Sequence, residues 1–207
     1  MTPETVFIVD DDADVRDSLR ALLESARFNV VDFDSARAFL TAPRAHGGCM
    51  IADIRMPDMD GLELQEELTR QNVGLPVIIV TGHGDVPLAV RAMKAGAVDF
   101  IEKPYDDELL LESVRRALDA GQQQNRQTST ADPVRAGLVA SLTLREREVL
   151  EHLIAGQPNK VVAFELGISP RTVEIHRAHL MEKMQARSLP ELVRTALAAG
   201  VVPSGEA

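Results

Sequence analysis

The sequence has little of what indicates an exported, disulfide-stabilised or membrane-spanning protein. It contains one cysteine in 207 residues, so no disulfide can form within the chain. No charged-then-apolar leader opens it, and no apolar run approaches the roughly 18 residues that a membrane helix needs. We therefore expect a cytoplasmic protein without a membrane association.

Aromatic residues are also scarce, and the chain has no excess of positive charge. There is no tryptophan and one tyrosine, while hydrophobic residues make up 45%, so the core must be aliphatic. The net charge is −10, and residues 1–119 hold 23 of the 32 acidic residues against 12 of the 22 basic ones. The acidic part cannot be a nucleic-acid surface, whereas the near-neutral part could be one if its basic residues cluster. The length favours two domains.

Strand-length apolar runs alternate with helix-period stretches over the first 105 residues. The runs are Val6–Val9, Phe28–Val31, Cys49–Ala52, Pro76–Val80 and Val98–Ile101. Such alternation predicts an α/β domain, a doubly wound five-stranded parallel sheet with helices on both faces.

The pattern of apolar and polar residues changes near residue 120. A polar stretch begins at Gly121, and from Leu138 the pattern is helical without strand-like runs. Two capping-box patterns, Thr143 with Glu146 and Ser188 with Glu191, mark helix starts. We predict an α/β domain at 1–120, a linker at 121–137 and an all-α domain at 138–203.

Polar residues stand at the ends of the strand-length runs. Asp10, Asp11 and Asp12 follow the first run, and Asp53, Thr81 and Lys103 end the third, fourth and fifth. These ends meet at one edge of a doubly wound sheet, where ligands bind. Two carboxylates about 4 Å apart repel by about 4 kcal/mol at an effective dielectric near 20, so a cation is expected. Mg²⁺ suits such oxygen ligands, and Lys103 and Thr81 could hold phosphoryl oxygens.

Three other interpretations fit parts of this pattern. Acidic triplets after a strand are often solvated turns. A Mg²⁺-dependent phosphohydrolase with an aspartate nucleophile uses similar groups, but no cap insertion is visible between the strands. A dinucleotide-binding enzyme is excluded because no Gly-x-Gly-x-x-Gly follows the first run.

Four segments resemble the receiver domains of two-component systems, which have a flavodoxin-like fold. They are Val9–Asp12, Asp53–Gly61, Val80–Gly84 and Phe100–Pro104. The resemblance implies that Asp53 accepts a phosphoryl group from a sensor histidine kinase. It implies Mg²⁺ ligands at Asp10, Asp11, Asp53 and the Arg55 carbonyl, a switch pair of Thr81 and Phe100, and a cis Lys103–Pro104 peptide.

The second domain contains a helix-turn-helix pattern. A short amphipathic stretch ends at Gly167, and Ser169 and Pro170 suit the start of the next helix. In that helix Val173, Leu180 and Met184 define a buried stripe. The opposite side carries Arg171, Glu174, Ile175 and Ala178, a mixture compatible with a major-groove surface. An ordinary helical hairpin would give a similar pattern.

The segments Leu142–Leu150, Asn159–Lys160, Ile168–His176 and Lys183–Met184 resemble the four-helix LuxR/NarL-type DNA-binding domain. The resemblance implies binding to double-stranded promoter DNA, activation of transcription and RNA polymerase as a partner. The expected DNA-contacting residues are Lys160, Arg171, Thr172, Glu174, Ile175, His176, Arg177, Ala178 and Lys183. Glu174 departs from the wider pattern, where many members carry lysine.

Residues 81–100 together with Ile168–Glu174 resemble a narrower group of response regulators that control nitrogen-fixation and microaerobic genes. The resemblance implies a homodimer when phosphorylated, formed through the fourth helix and fifth strand of the receiver. We place Val90 and Lys94 on that surface; the alternative is that Val90 belongs to the core.

Overall fold

A computed structural model of the chain describes residues 4–42, 47–82, 85–124, 133–201 and 203. The chain forms two compact units. The first comprises Met1–Gly84 and Ala95–Thr128, and the second comprises Asp85–Lys94 and Ser129–Ala207.

The first unit is built on a five-stranded parallel sheet. The strands are β1 (Thr5–Val9), β2 (Asn29–Phe33), β3 (Cys49–Asp53), β4 (Val77–Thr81) and β5 (Asp99–Glu102). Its helices are α1 (Ala13–Ser25), α2 (Ala36–Thr41), α3 (Gly61–Arg70) and α5 (Asp107–Gln124). The strand order β2-β1-β3-β4-β5 is that of the flavodoxin-like fold, so the predicted α/β class is confirmed.

The aliphatic composition of the strands explains why they form a parallel sheet that is covered on both faces. Every residue of β3 and β4 is buried, as expected for central parallel strands covered on both faces. β1 pairs with β3, and β3 with β4, in a register that aligns Val9 with Ala52 and Asp53 with Val80. The carboxyl ends of β1, β3 and β4 therefore lie side by side.

The second unit is helical. It contains α4 (Val86–Lys94), α6 (Pro133–Ala140), α7 (Leu144–Ile154), α8 (Asn159–Leu166), α9 (Pro170–Lys183) and α10 (Leu189–Ala198). Its interior is aliphatic, with Leu150, Leu153, Val173 and Leu180 all fully buried. The predicted all-α fold of the C-terminal part of the chain is confirmed.

The predicted linker at 121–137 is partly helical. The helix α5 continues to Gln124, and α6 begins at Pro133, so helix occupies both ends of the predicted linker. Glutamine is a good helix former, which explains why three glutamines extend α5, and proline suits the first turn of α6. The rest of the predicted linker, 125–132, lies outside the described residues.

The two predicted capping boxes differ in the structure. Thr143 and Glu146 form the reciprocal pair at the start of α7. At α10 the Ser188 side chain accepts from the Glu191 N–H, but Glu191 accepts from the backbone of Arg187, one residue earlier.

The structure does not place Val90 on the surface. Its side chain is 2% exposed, and Gly156, at the end of α7, lies against it. Val90 therefore belongs to the packed interior, which was the alternative interpretation, because the same side of α4 also carries buried Ala89 and Met93. Lys94 is exposed.

Within the described ranges, no helix combines the length and the apolar composition that crossing a membrane requires.

Candidate functional site

Three charged side chains meet at the carboxyl edge of the sheet in the first unit. The Lys103 Nζ donates to Asp53 Oδ1 at 2.8 Å and to Asp10 Oδ2 at 3.0 Å. These residues are separated by 50 and 93 positions in the chain. The predicted convergence of Asp10, Asp53 and Lys103 is therefore observed.

Backbone groups fix both carboxylates. Asp53 Oδ2 accepts from the Arg55 N–H at 2.6 Å, and Asp10 Oδ1 accepts from the Asp12 N–H at 2.9 Å. Charge-assisted hydrogen bonds of this kind hold a carboxylate in one orientation. The side chain of Asp12 is used elsewhere, because it caps α1 by accepting from the N–H groups of Asp14 and Val15.

Burial shifts the pKa values of the charged groups at this site. Asp10 is 3% exposed and Asp53 is 8% exposed. Burial raises the pKa of Asp10, and the hydrogen bonds from Asp12 and Lys103 only partly oppose it. Burial also lowers the pKa of Lys103, but hydrogen bonds and attraction from Asp53 and Asp10 outweigh it, so the net pKa shift is upward.

The other predicted receiver residues lie around this cluster. Thr81 ends β4 and is fully buried, and its carbonyl accepts from the Lys103 N–H at 2.8 Å. Phe100, on β5, is 8% exposed. The Lys103–Pro104 peptide is cis, as expected. Asp11 is exposed beside buried Asp10, and Arg55 is exposed after β3.

The donor set fits Mg²⁺. Two buried carboxylates share one ammonium, so the pair keeps a net negative charge, and hard oxygen ligands suit this cation. Within the described ranges, no three His, Cys, Asp or Glu side chains form a ready-made metal-binding group. A metal there would take Asp10 and Asp53 first, with Asp11 and the Arg55 carbonyl beside them.

Two residues that shape this site were not predicted. Arg16, on α1, donates to the carbonyl of Asp10 at 2.8 Å and also contacts Asp32. Gly61, the first residue of α3, lies so close to β3 that a Cβ would stand 2.3 Å from the Asp53 carbonyl oxygen. Any larger residue at position 61 would displace Asp53.

The second unit contains the predicted helix-turn-helix. The helix α8 ends at Gly167 in the left-handed conformation, with φ 65°, which favours glycine. Ser169 then caps α9 by accepting from the Thr172 N–H, and Pro170 is its first residue. The predicted stripe of Val173, Leu180 and Met184 is buried.

The outward side of α9 carries the predicted mixture of charged and apolar groups. Arg171, Glu174, Ile175 and Ala178 are exposed, as is Lys160 on α8. Arg171 and Glu174 form an exposed pair at 3.4 Å. Such a pair contributes little stability, so it leaves Glu174 available for another partner.

Four of the predicted DNA-contacting residues are half-buried: Thr172, His176, Arg177 and Lys183. Arg177 donates to Asn159 Oδ1 at 2.9 Å, and burial lowers its pKa. Lys183 donates to Glu146 Oε2 at 2.7 Å. Both cations therefore have partners inside the unit, which the helical spacing did not reveal.

Comparison with known proteins identifies both kinds of domain. Residues 6–115 match the response regulator receiver domain, and residues 140–196 match the luxR family of bacterial regulatory proteins. The chain is 50% identical to the transcriptional regulatory protein FixJ of Bradyrhizobium diazoefficiens, covering 95% of this chain and 96% of that one. It is 51% identical to FixJ of Rhizobium meliloti, covering 99% and 100%.

Among solved structures, full-length FixJ from B. japonicum matches with a TM-score of 0.57 and 49% identity, covering 98% of this chain and 100% of that one. The phosphohydrolase alternative has no support in these relatives. The chain belongs to the FixJ-like response regulators of two-component systems, which are transcription regulators with a receiver domain and a LuxR-type DNA-binding domain, and not enzymes.

Proposed function

We propose that Asp53 accepts a phosphoryl group from a sensor histidine kinase and that this modification makes the chain dimerise, bind promoter DNA through α9 and activate RNA polymerase. The observation that carries the proposal is the joint contact of Lys103 with Asp53 and Asp10. Resemblance to the FixJ group further favours nitrogen-fixation or microaerobic genes as targets, with the regulator acting in the cytoplasm.

The geometry supports phosphoryl transfer to Asp53. An Asp53 oxygen attacks phosphorus, the bond from phosphorus to the histidine nitrogen of the kinase breaks, and the phosphoryl group remains on the carboxylate. Lys103, at 2.8 Å from Asp53, is placed to pair with a phosphoryl oxygen, and the Thr81 hydroxyl supplies a hydrogen bond at the same edge. Bound Mg²⁺ would neutralise the charge that the carboxylates and the phosphoryl group bring together.

A two-state change follows from these contacts. Moving an equilibrium from 1:99 to 99:1 needs about 5.5 kcal/mol of differential stabilisation, which the new contacts of Lys103 and Thr81 can supply together. The Phe100 side chain, on β5, is the second member of this switch. The proposed dimer surface that responds includes α4, where Lys94 is exposed.

The DNA surface is proposed on the exposed side of α9. Arg171 and Lys160 are the exposed cations for phosphate contacts, assisted by Thr172 near the N-terminus of α9. Glu174 and Ile175 lie towards the bases, where a carboxylate accepts from cytosine N4 and an alkyl group meets a thymine methyl. The proposed surface also includes His176, Arg177, Ala178 and Lys183. Arg177 and Lys183 contact DNA while they also donate to Asn159 and Glu146.

Footprinting with and without a phosphoryl donor tests the proposal. A DNA site is first obtained by selection from random sequence, and the chain is then added before and after incubation with acetyl phosphate and Mg²⁺. We expect protection at much lower protein concentration after phosphorylation, with a doubled mass by light scattering. Equal protection and equal mass in the two samples would contradict it.

The substitution Glu174→Ala tests whether the exposed side of α9 recognises the base sequence. We expect discrimination at one base position to relax by about 1 to 3 kcal/mol, because the carboxylate no longer accepts from cytosine. Non-specific affinity should stay the same or improve slightly, since a negative charge near phosphates is removed. Selection of binding sites by both proteins measures this.

The matched control is Glu182→Ala, which removes the same charge near the other end of α9. It should leave the selected sequence unchanged, because bases are read by the N-terminal part of such a helix. If wild type and Glu174→Ala select identical sequences, Glu174 forms only the surface pair with Arg171, which is worth about 0.2 to 0.5 kcal/mol.

A further inference from the structure

We propose that Arg16 is a positioning residue for Mg²⁺ binding, because it fixes the peptide that joins the proposed metal ligands Asp10 and Asp11. This inference rests on the proposed function, in which bound Mg²⁺ assists phosphoryl transfer. Arg16 lies on α1, and its Nη1 donates to the Asp10 carbonyl oxygen at 2.8 Å. Its Nε pairs with the Asp32 carboxylate on β2 at 3.3 Å. The guanidinium therefore joins the loop after β1 to the neighbouring strand.

The Asp10 carbonyl lies just beyond the end of the strand pairing. The pairing of β1 with β2 ends at Val9 and Phe33, and one further hydrogen bond joins the Asp10 N–H to the Phe33 carbonyl at 3.2 Å. The Asp10 carbonyl accepts from the Arg16 side chain. Because a peptide group is planar, holding this carbonyl also fixes the Asp11 N–H and the direction in which Asp11 leaves the peptide.

The attachment of α1 to β2 does not require the contact of Arg16 with Asp10. Arg20, one turn further along α1, also pairs with Asp32 and already ties the helix to the strand. The Arg16 side chain is only 16% exposed, and burying a guanidinium costs hydration free energy. Its contact with the Asp10 carbonyl is therefore better explained by the metal site than by helix packing.

The charge of Arg16 by itself opposes metal binding. A cation beside metal-binding carboxylates repels Mg²⁺, so an arginine that acted only through its charge would weaken binding. Asp32 offsets this charge and holds the guanidinium in the orientation that reaches the Asp10 carbonyl. Hydrogen-bond partners that orient ligands without touching the metal commonly change metal affinity by about 10- to 100-fold. Charge and positioning therefore predict opposite effects when Arg16 is replaced.

Arg16→Gln separates these two effects. Isothermal titration calorimetry of the full chain with magnesium chloride measures the dissociation constant of Mg²⁺. We expect this constant to rise by about tenfold, because the peptide between Asp10 and Asp11 loses its tether. Unchanged or tighter binding would overturn the proposal.

Arg20→Gln is the matched control for Arg16→Gln. It removes the same charge from the same helix and also breaks a pair with Asp32, but one turn further from the Asp10 carbonyl. Its dissociation constant for Mg²⁺ should stay within about twofold of the wild type, because the hydrogen bond that orients the ligands is kept. An equal loss in both variants would show a general loosening of α1 and would refute the role of Arg16.

Asp32→Asn tests whether Asp32 acts through Arg16. Asparagine offers an acceptor to the guanidinium but no charge, so we expect a smaller rise in the dissociation constant, of about threefold. The double variant should bind Mg²⁺ within about twofold of Arg16→Gln alone, because Asp32 then has no Arg16 to hold. If charge alone governed binding, the double variant would bind like the wild type, since its net charge is unchanged. Such a recovery, or no effect of Asp32→Asn, would contradict positioning.

The rate of labelling by acetyl phosphate, measured over a range of Mg²⁺ concentrations, distinguishes positioning from structural damage. Arg16→Gln should need about tenfold more Mg²⁺ for the half-maximal rate and reach the wild-type plateau within about twofold, since Asp53, Lys103 and Thr81 are unchanged. A plateau that stays low at every Mg²⁺ concentration would overturn the proposal. If the wild type itself binds no Mg²⁺ or takes up no phosphoryl group, the proposed function is wrong, and the role of Arg16 falls with it.

Discussion

Asp53→Asn is expected to abolish the incorporation of phosphate from acetyl phosphate and Mg²⁺, whereas the wild type should take up one phosphoryl group per chain. The reason is geometric, because Asp53 ends a central strand and has its carboxylate held by Lys103 and by the Arg55 N–H. Asparagine keeps the shape of the side chain but offers no carboxylate oxygen for the acyl phosphate. Mass spectrometry of the intact protein measures the added phosphate, which should be released by alkali.

Asp58→Asn is the matched control for this experiment. Asp58 is an exposed carboxylate in the same loop between β3 and α3, at φ 68°, a conformation that asparagine tolerates. It should be phosphorylated like the wild type. Removing Mg²⁺ with EDTA should suppress labelling of both proteins, because the charge of Asp10 and Asp53 is then left uncompensated. Stoichiometric labelling of Asp53→Asn would show that the acceptor lies elsewhere.

The sequence was sufficient to predict the cluster of Asp10, Asp53 and Lys103 because the ends of parallel strands are predictable. Once the apolar runs are assigned to parallel strands, Asp10, Asp53 and Lys103 must meet at one edge. Gly61 and Arg16 could not be found in this way. Their roles depend on how closely α3 approaches β3 and on where α1 crosses β1, which are distances that no periodic pattern contains.

The helical unit shows a different limit of sequence analysis. Helical spacing correctly separated the buried stripe of α9 from its exposed side, but it could not identify partners on other helices. Lys183 was predicted to contact DNA, and the structure shows that it also donates to Glu146, which lies 37 positions away. Val90 was predicted at a surface for a similar reason, since a pattern of one helix does not show what packs against it.

Glu146→Gln is expected to destabilise the second unit by about 1.5 to 3 kcal/mol at neutral pH, the usual contribution of a hydrogen bond to a charged group. Glu146 is 4% exposed, accepts from Lys183 at 2.7 Å and from the Thr143 N–H at 2.8 Å, and so joins α9 to the start of α7. Glutamine still serves as an acceptor for Thr143 but removes the charge that faces Lys183. Urea unfolding followed by far-ultraviolet circular dichroism measures the difference.

The pH dependence of the stability difference tests whether the charge of Glu146 causes that difference. The hydrogen bond from Lys183, with those from Thr143, lowers the pKa of Glu146 from 4.5 to about 2. A carboxylate whose pKa is lower in the folded state stabilises the fold fully above its unfolded pKa and loses that effect as the pH falls towards its folded pKa. The difference between wild type and Glu146→Gln should therefore be constant from neutral pH to about pH 5 and shrink between pH 4.5 and about 2. Glu148→Gln is the control, because the Glu148 side chain is 37% exposed and its pair with Arg145 should contribute less than about 1 kcal/mol. An equal loss in the two variants, or a difference that persists unchanged near pH 2, would show that the Glu146 charge does not join α7 to α9.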